Sequence, residues 1–167
     1  MEKINFPIYI IGMPLSGKST IARILSKELQ LPYLDLDHEI EKTCQKTINQ
    51  IFDFHGETYF RSLETEHLQR FKSFQGIIAC GGGIVLNDTH KDIMHDGYVI
   101  FIDTQLKHLN MRLSKRDKRP LLKTQSLEKL YQERYPLYQS FASITIKNDH
   151  TIESLIESLK TMIKEHS

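Results

Sequence analysis

The run Gly12-Met13-Pro14-Leu15-Ser16-Gly17-Lys18-Ser19 constrains the fold more than any other part of the chain. It fits Gly-x-x-x-x-Gly-Lys-[Ser/Thr], and its surroundings give that spacing a mechanism. Upstream, Ile8-Tyr9-Ile10-Ile11 is the short apolar run of a buried parallel strand. Downstream, Ile21, Ile24, Leu25 and Leu29 recur at helical spacing over 18–30. A strand, a glycine loop and a helix N-terminus in that order aim backbone N–H groups and the helix dipole at an anion, and the lysine adds a mobile charge. At glycine's usual abundance of ~7%, the pattern arises by chance in about 1% of chains this long. The loop therefore predicts a nucleotide-phosphate site, without naming a reaction.

At 167 residues the chain is expected to form one domain, 1–167, with a core that needs no staples. Its 22 Lys+Arg nearly balance its 21 Asp+Glu, so it has no bulk attraction for nucleic acid or an anionic membrane, and anion recognition must be local. Cys44 and Cys80 read as reduced thiols. No run approaches 18 apolar residues, and no cationic stretch followed by a long apolar run opens the sequence. A cytoplasmic monomer is expected, acting on small molecules, with neither nucleic acid nor membrane as partner.

Strand-like runs at 8–11, 33–35, 77–80, 99–102 and 143–146 alternate with helical patterns at 18–30, 37–44, 59–74, 104–115, 126–140 and 151–166. Such alternation predicts an α/β fold with a parallel sheet covered on both faces. Ligands in such folds bind beyond the carboxyl ends of the strands. The glycine loop, Asp35-Leu36-Asp37 and Gly81-Gly82-Gly83 all fall there.

The motif's mechanics put Lys18 on the β- and γ-phosphates and the Ser19 hydroxyl on Mg²⁺, with residues 12–19 and Thr20 around the nucleotide. Of Asp35 and Asp37, one can serve the metal while the other accepts a hydrogen bond from a substrate hydroxyl. A competing role for Asp37 is the N-cap of the following helix. Phe60-Arg61 opens the next helical pattern, and Glu64 lies on the same helix surface as Arg61, either as a surface ion pair or as the group that orients Arg61 toward an anionic substrate. The three glycines at 81–83 suit a close backbone approach to a ligand, or a flexible turn. The stretch Arg112, Lys115, Arg116, Lys118, Arg119, then Pro120-Leu121-Leu122, is a solvated charge run or a lid over the phosphates. Val99-Ile100-Phe101-Ile102-Asp103 offers Asp103 as a rival metal carboxylate, and spacing does not separate it from Asp35.

Read together, these elements resemble the shikimate kinase family over nearly the whole chain. They occur in order: residues 12–19, Asp35-x-Asp37, Gly56-Glu57-x-x-Phe60-Arg61-x-x-Glu64, Gly81-Gly82-Gly83, Arg119-Pro120-Leu121-Leu122 and Arg134-x-Pro136-Leu137-Tyr138. The resemblance implies a P-loop kinase fold with five parallel strands, helices on both faces and a mobile lid at about 112–125. It implies transfer of the ATP γ-phosphoryl to the 3-hydroxyl of shikimate. The acceptor would meet Asp37, Arg61, Gly81, Gly82, Gly83 and Arg134, with a shikimate-binding region at about 37–64, and both arginines would hold the carboxylate. Asp37 is the candidate base, Lys18 and Arg119 the candidate catalytic cations, Arg112 the neighbour of adenine, and Asp35 with Ser19 the Mg²⁺ ligands. On that resemblance Asp103 ranks below Asp35. A kinase of another carboxylated polyol, and a nucleotide-binding relative with weak catalysis, are the alternative readings.

Leu15 departs from the pattern, since the family usually carries glycine there. If the position needs positive φ, a β-carbon costs about 1–2 kcal/mol, and weaker ATP use is the expectation. A shift to a permitted conformation would cost little.

Overall fold

The computed structural model describes residues 3–115 and 126–167. Five strands form one all-parallel sheet: β1 (Ile8–Ile11), β2 (Tyr33–Asp35), β3 (Ile77–Ala79), β4 (Tyr98–Asp103) and β5 (Ile144–Lys147), in the order β2-β3-β1-β4-β5. Among the described residues seven helices accompany them: α1 (Lys18–Leu29), α2 (Leu36–Cys44), α3 (Ile48–Arg70), α4 (Asp88–Ile93), α5 (Leu106–Lys115), α6 (Leu127–Phe141) and α7 (Ile152–His166). A 3₁₀ turn at Ile84–Leu86 follows the glycine triplet. The five predicted strands agree with the observed ones to within a residue at either end.

Alternation of side chains along the strands divides the core into two layers. Ile8, Ile10, Ile100 and Ile102 face α1 and α7, which contribute Ile21, Leu25, Leu155, Ile156, Leu159 and Ile163. Tyr9, Ile11, Val99 and Phe101 face the other way, onto Leu68 of α3, Leu109 of α5 and Leu130 of α6. Every residue of β1 is fully buried, as expected of a central parallel strand. A smaller cluster of Ile40, Ile51, Phe60 and Leu63 packs α2 on α3.

Two helical expectations need correction. The pattern at 59–74 is the second part of a longer helix, so Phe60-Arg61 lies inside α3 and does not open it. Thr47 caps its start with a reciprocal bond to Gln50, and Gly56 at φ 81°, ψ 175° kinks it. The second correction is α4, six residues long, in a stretch to which the sequence patterns assign no helix. Of the expected lid at 112–125, residues 116–125, Arg119 among them, lie outside the described residues.

Candidate active site

All five strands end on the same edge of the sheet, and the loops leaving them build the site. The glycine loop comes off β1. Its conformation is set by bonds from three other segments: Arg112 of α5 donates to the Leu15 carbonyl at 2.6 Å, while the Thr104 hydroxyl and the Asn148 amide, beyond β4 and β5, both donate to the Ser16 carbonyl at 3.1 Å. Gly17 sits at φ 85° immediately before α1, and Leu15 at φ 68°. The strained alternative for Leu15 is therefore the one realised. Gly12 is required by a close approach, since a Cβ there would lie 2.8 Å from the Ile102 carbonyl. Lys18 is buried, and its ammonium donates to the Met13 carbonyl at 3.1 Å.

Asp35 ends β2 and does two jobs. Its Oδ1 accepts from the His38 amide as the N-cap of α2, and its Oδ2 accepts from the Ser19 hydroxyl at 3.0 Å. The cap expected of Asp37 thus belongs to Asp35, which leaves Asp37 in the first turn with its carboxylate against the glycine triplet. Asp103 points elsewhere, its Oδ2 accepting from Tyr135 of α6 at 3.2 Å.

The triplet is shaped by its neighbours. A Cβ at Gly81 would lie 2.7 Å from Asp37 Oδ1, one at Gly82 would lie 2.8 Å from the Pro14 ring, and one at Gly83 would overlap the Arg61 guanidinium. None of the three has positive φ. These glycines are required because three side chains from distant parts of the chain occupy the space a β-carbon needs.

Opposite the phosphate loop lies a charged cluster. Arg61 donates to Glu64 Oε1 at 2.7 Å, with Glu57 at 3.4 Å on its other side. Glu64 is fully buried, so desolvation raises its carboxyl above the usual range against the pull of Arg61 and Arg134. Its Oε2 has no hydrogen-bond partner among the described residues and is left as an acceptor. Arg134, 3% exposed on α6, lies one helical turn before Tyr138, whose hydroxyl donates to the Gly82 carbonyl at 2.6 Å. Burial pushes the Tyr138 phenol up to about 12 although both arginines pull it down. Cys80, directly after β3, is buried, and burial pushes its thiol well up, with Glu64, Asp37 and Asp35 adding to the shift and Lys18 opposing it.

A cleft of about 530 Å³ runs along the phosphate loop, lined by residues 15–21, Asp35, Asp37, Cys80, Arg112, Asn148, His150 and Ile152. The last three escaped the sequence reading. They follow β5, on the edge where ligands bind, and that placement is the signal that could have found them. The Ser19 and Asp35 oxygens are hard donors, few in number, which suits Mg²⁺, a cation that keeps waters and phosphate oxygens around itself. No helix among the described residues is long and apolar enough to cross a membrane.

A family model described as shikimate kinase matches residues 14–164. A shikimate kinase of Clostridium beijerinckii is 39% identical over 95% of this chain and 95% of its own, and one of Rippkaea orientalis 41% identical over 98% and 92%. Among solved structures, the shikimate kinase from Acinetobacter baumannii in complex with shikimate has a TM-score of 0.91 at 30% identity, covering 99% of this chain and 96% of that one.

Proposed function

The chain belongs to the shikimate kinase family, and on that premise we propose that it transfers the γ-phosphoryl group of ATP to the 3-hydroxyl of shikimate. It is a phosphotransferase with an alcohol acceptor. The observation that carries the reading is the glycine triplet, which lies against Pro14 of the phosphate loop on one side and Asp37 and Arg61 on the other. A nucleotide on the loop and an acceptor on the charged cluster would meet across it.

Arg61 and Arg134 are the only cations of that cluster among the described residues. Arg61 is already oriented by Glu64, and Arg134 is buried one helical turn before Tyr138, so a planar carboxylate meets two confined forks. Asp37 lies beside Gly81 of the triplet, where it would accept the proton of the attacking hydroxyl. Lys18 and the loop amides would carry the phosphates, and Arg112 would lie beside the base. Arg119 is assigned to the phosphates by the family motif alone. Mg²⁺, held by Ser19 and Asp35, would supply charge neutralisation between the phosphate oxygens. Catalysis by such a site consists of positioning and electrostatics. A monomer in the cytoplasm remains our expectation.

A coupled assay of ADP release with ATP and Mg²⁺ tests this. Release should depend on shikimate, gluconate and other sugar acids should not replace it, and the product should carry phosphate on O3 by ³¹P–¹H NMR. Absence of shikimate-dependent release would overturn the assignment.

A further inference from the structure

His90 is a buried titratable side chain that the acceptor site as described leaves unused. It is 1% exposed on α4, and its ring bridges two other segments. Nδ1 lies 2.7 Å from the Ile84 carbonyl, one residue after the glycine triplet, and Nε2 lies 2.7 Å from Thr65 Oγ1 on α3. A carbonyl only accepts, so Nδ1 holds the proton. Burial and the charge of Arg61 disfavour a second one. Nε2 therefore accepts from the Thr65 hydroxyl, whose other contact, to the Arg61 carbonyl, is longer at 3.2 Å.

Tyr138 makes the matching connection from the other side, donating to the Gly82 carbonyl from α6. The two arginines sit on these same helices, each four residues before the tethering hydroxyl: Arg61 before Thr65, Arg134 before Tyr138. Glu64 cannot set the distance between helix and loop, because it rides on α3 with Arg61. Contacts between elements set that distance, and these hydrogen bonds are among them.

We propose that the Thr65–His90 relay and Tyr138 are positioning residues that hold α3 and α6 to one loop, and so fix the separation of Arg61 and Arg134. This rests on the reading that those arginines bind the acceptor's carboxylate. The loop is a suitable reference because Gly83 leaves no clearance beside the Arg61 guanidinium. Small displacements of a two-point clamp cost binding.

The test is steady-state kinetics of Thr65→Val and Tyr138→Phe, each of which removes one hydroxyl and keeps the side chain's shape. Loss of one such bond should raise the shikimate KM about three- to tenfold. The ATP KM should stay within about twofold, and Thr65→Ser should restore the parent value. Shikimate methyl ester, which lacks the charge the clamp recognises, should be used equally poorly by parent and variants. His90→Asn, which can keep the Ile84 bond but not reach Thr65, should match Thr65→Val without adding to it. Lowered thermal stability with both KM values unchanged would overturn the proposal, as would equal losses with the ester. Arg61→Ala separates the two levels. If it raises the shikimate KM while the tether variants do not, the clamp stands and the tethers fall. If it leaves the shikimate KM unchanged, the clamp reading fails and the proposal with it.

Discussion

Leu15 is held in a backbone conformation that leucine resists, so its replacement has a magnitude that can be worked out. At φ 68° its β-carbon crowds the neighbouring carbonyl, a strain of about 1–2 kcal/mol. Glycine removes that strain but leaves the unfolded chain freer by about 0.5–1 kcal/mol. It also strips a partly buried side chain from the larger core layer, about 1 kcal/mol for half of a leucine's burial. These effects nearly cancel, and Leu15→Gly should change stability by less than about 1 kcal/mol. Leu15→Ala keeps the strain and loses the packing. The glycine variant should therefore melt about 1–4 °C above the alanine variant in scanning calorimetry, the reverse of the usual preference for alanine. ATP use should respond little. The turn is fixed by the protein's own bonds from Arg112, Thr104 and Asn148, so the strain is common to free and bound states and drops out of the binding equilibrium. The ATP KM of the glycine variant should stay within about threefold of the parent. An alanine variant as stable as the glycine one would refute the left-handed turn. A tenfold gain in ATP affinity at constant melting temperature would show that strain arises on binding.

Three other outcomes are expected. Asp103→Asn should keep Mg²⁺-dependent turnover within about threefold, since Asp103 is engaged with Tyr135, whereas Asp35→Asn should lower kcat/KM about 100-fold; asparagine caps helices as well as aspartate does, so the Asp35 variant should melt near the parent temperature. His90 titrates below its ordinary 6.5 in the folded protein through burial and the charge of Arg61. Below about pH 6.5 the unfolded chain gains a proton that the folded one resists, so stability falls with acid, and His90→Asn should flatten that part of a melting profile between pH 7.5 and 5.5. Gln45 ends α2 at φ 52°, and Gln45→Gly should raise stability by about 0.5 kcal/mol, read as a small increase in melting temperature.

The sheet and the phosphate loop were legible because their signals are local: unbroken apolar runs bounded by turn residues, and glycines at a fixed spacing. The first half of α3 was not, because Gly56 interrupts the helical period and Asn49, Asp53 and His55 dilute it. Its capping pair Thr47 and Gln50 was a start signal that went unused. The N-cap went to Asp35 over Asp37 because α2 begins at Leu36, directly after β2, and spacing alone could not decide that. The reason for three consecutive glycines was beyond the sequence altogether. Pro14, Asp37 and Arg61 crowd that loop only once the sheet has brought residues from four separate segments together.

The central place of β1 also sets a timetable for folding. Its partners are β3 and β4, about 70 and 90 residues further along, since Ile8 pairs with Ile77 and Tyr98. Contacts so distant in sequence close slowly. At synthesis rates of about 5–20 residues per second, the Ile8–Ile11 run would leave the ribosome on the order of 5–20 s before its last neighbour exists. Through that interval the most buried strand of the finished protein is an unpaired apolar segment at the front of a growing chain, and for that time it depends on whatever shields nascent polypeptides.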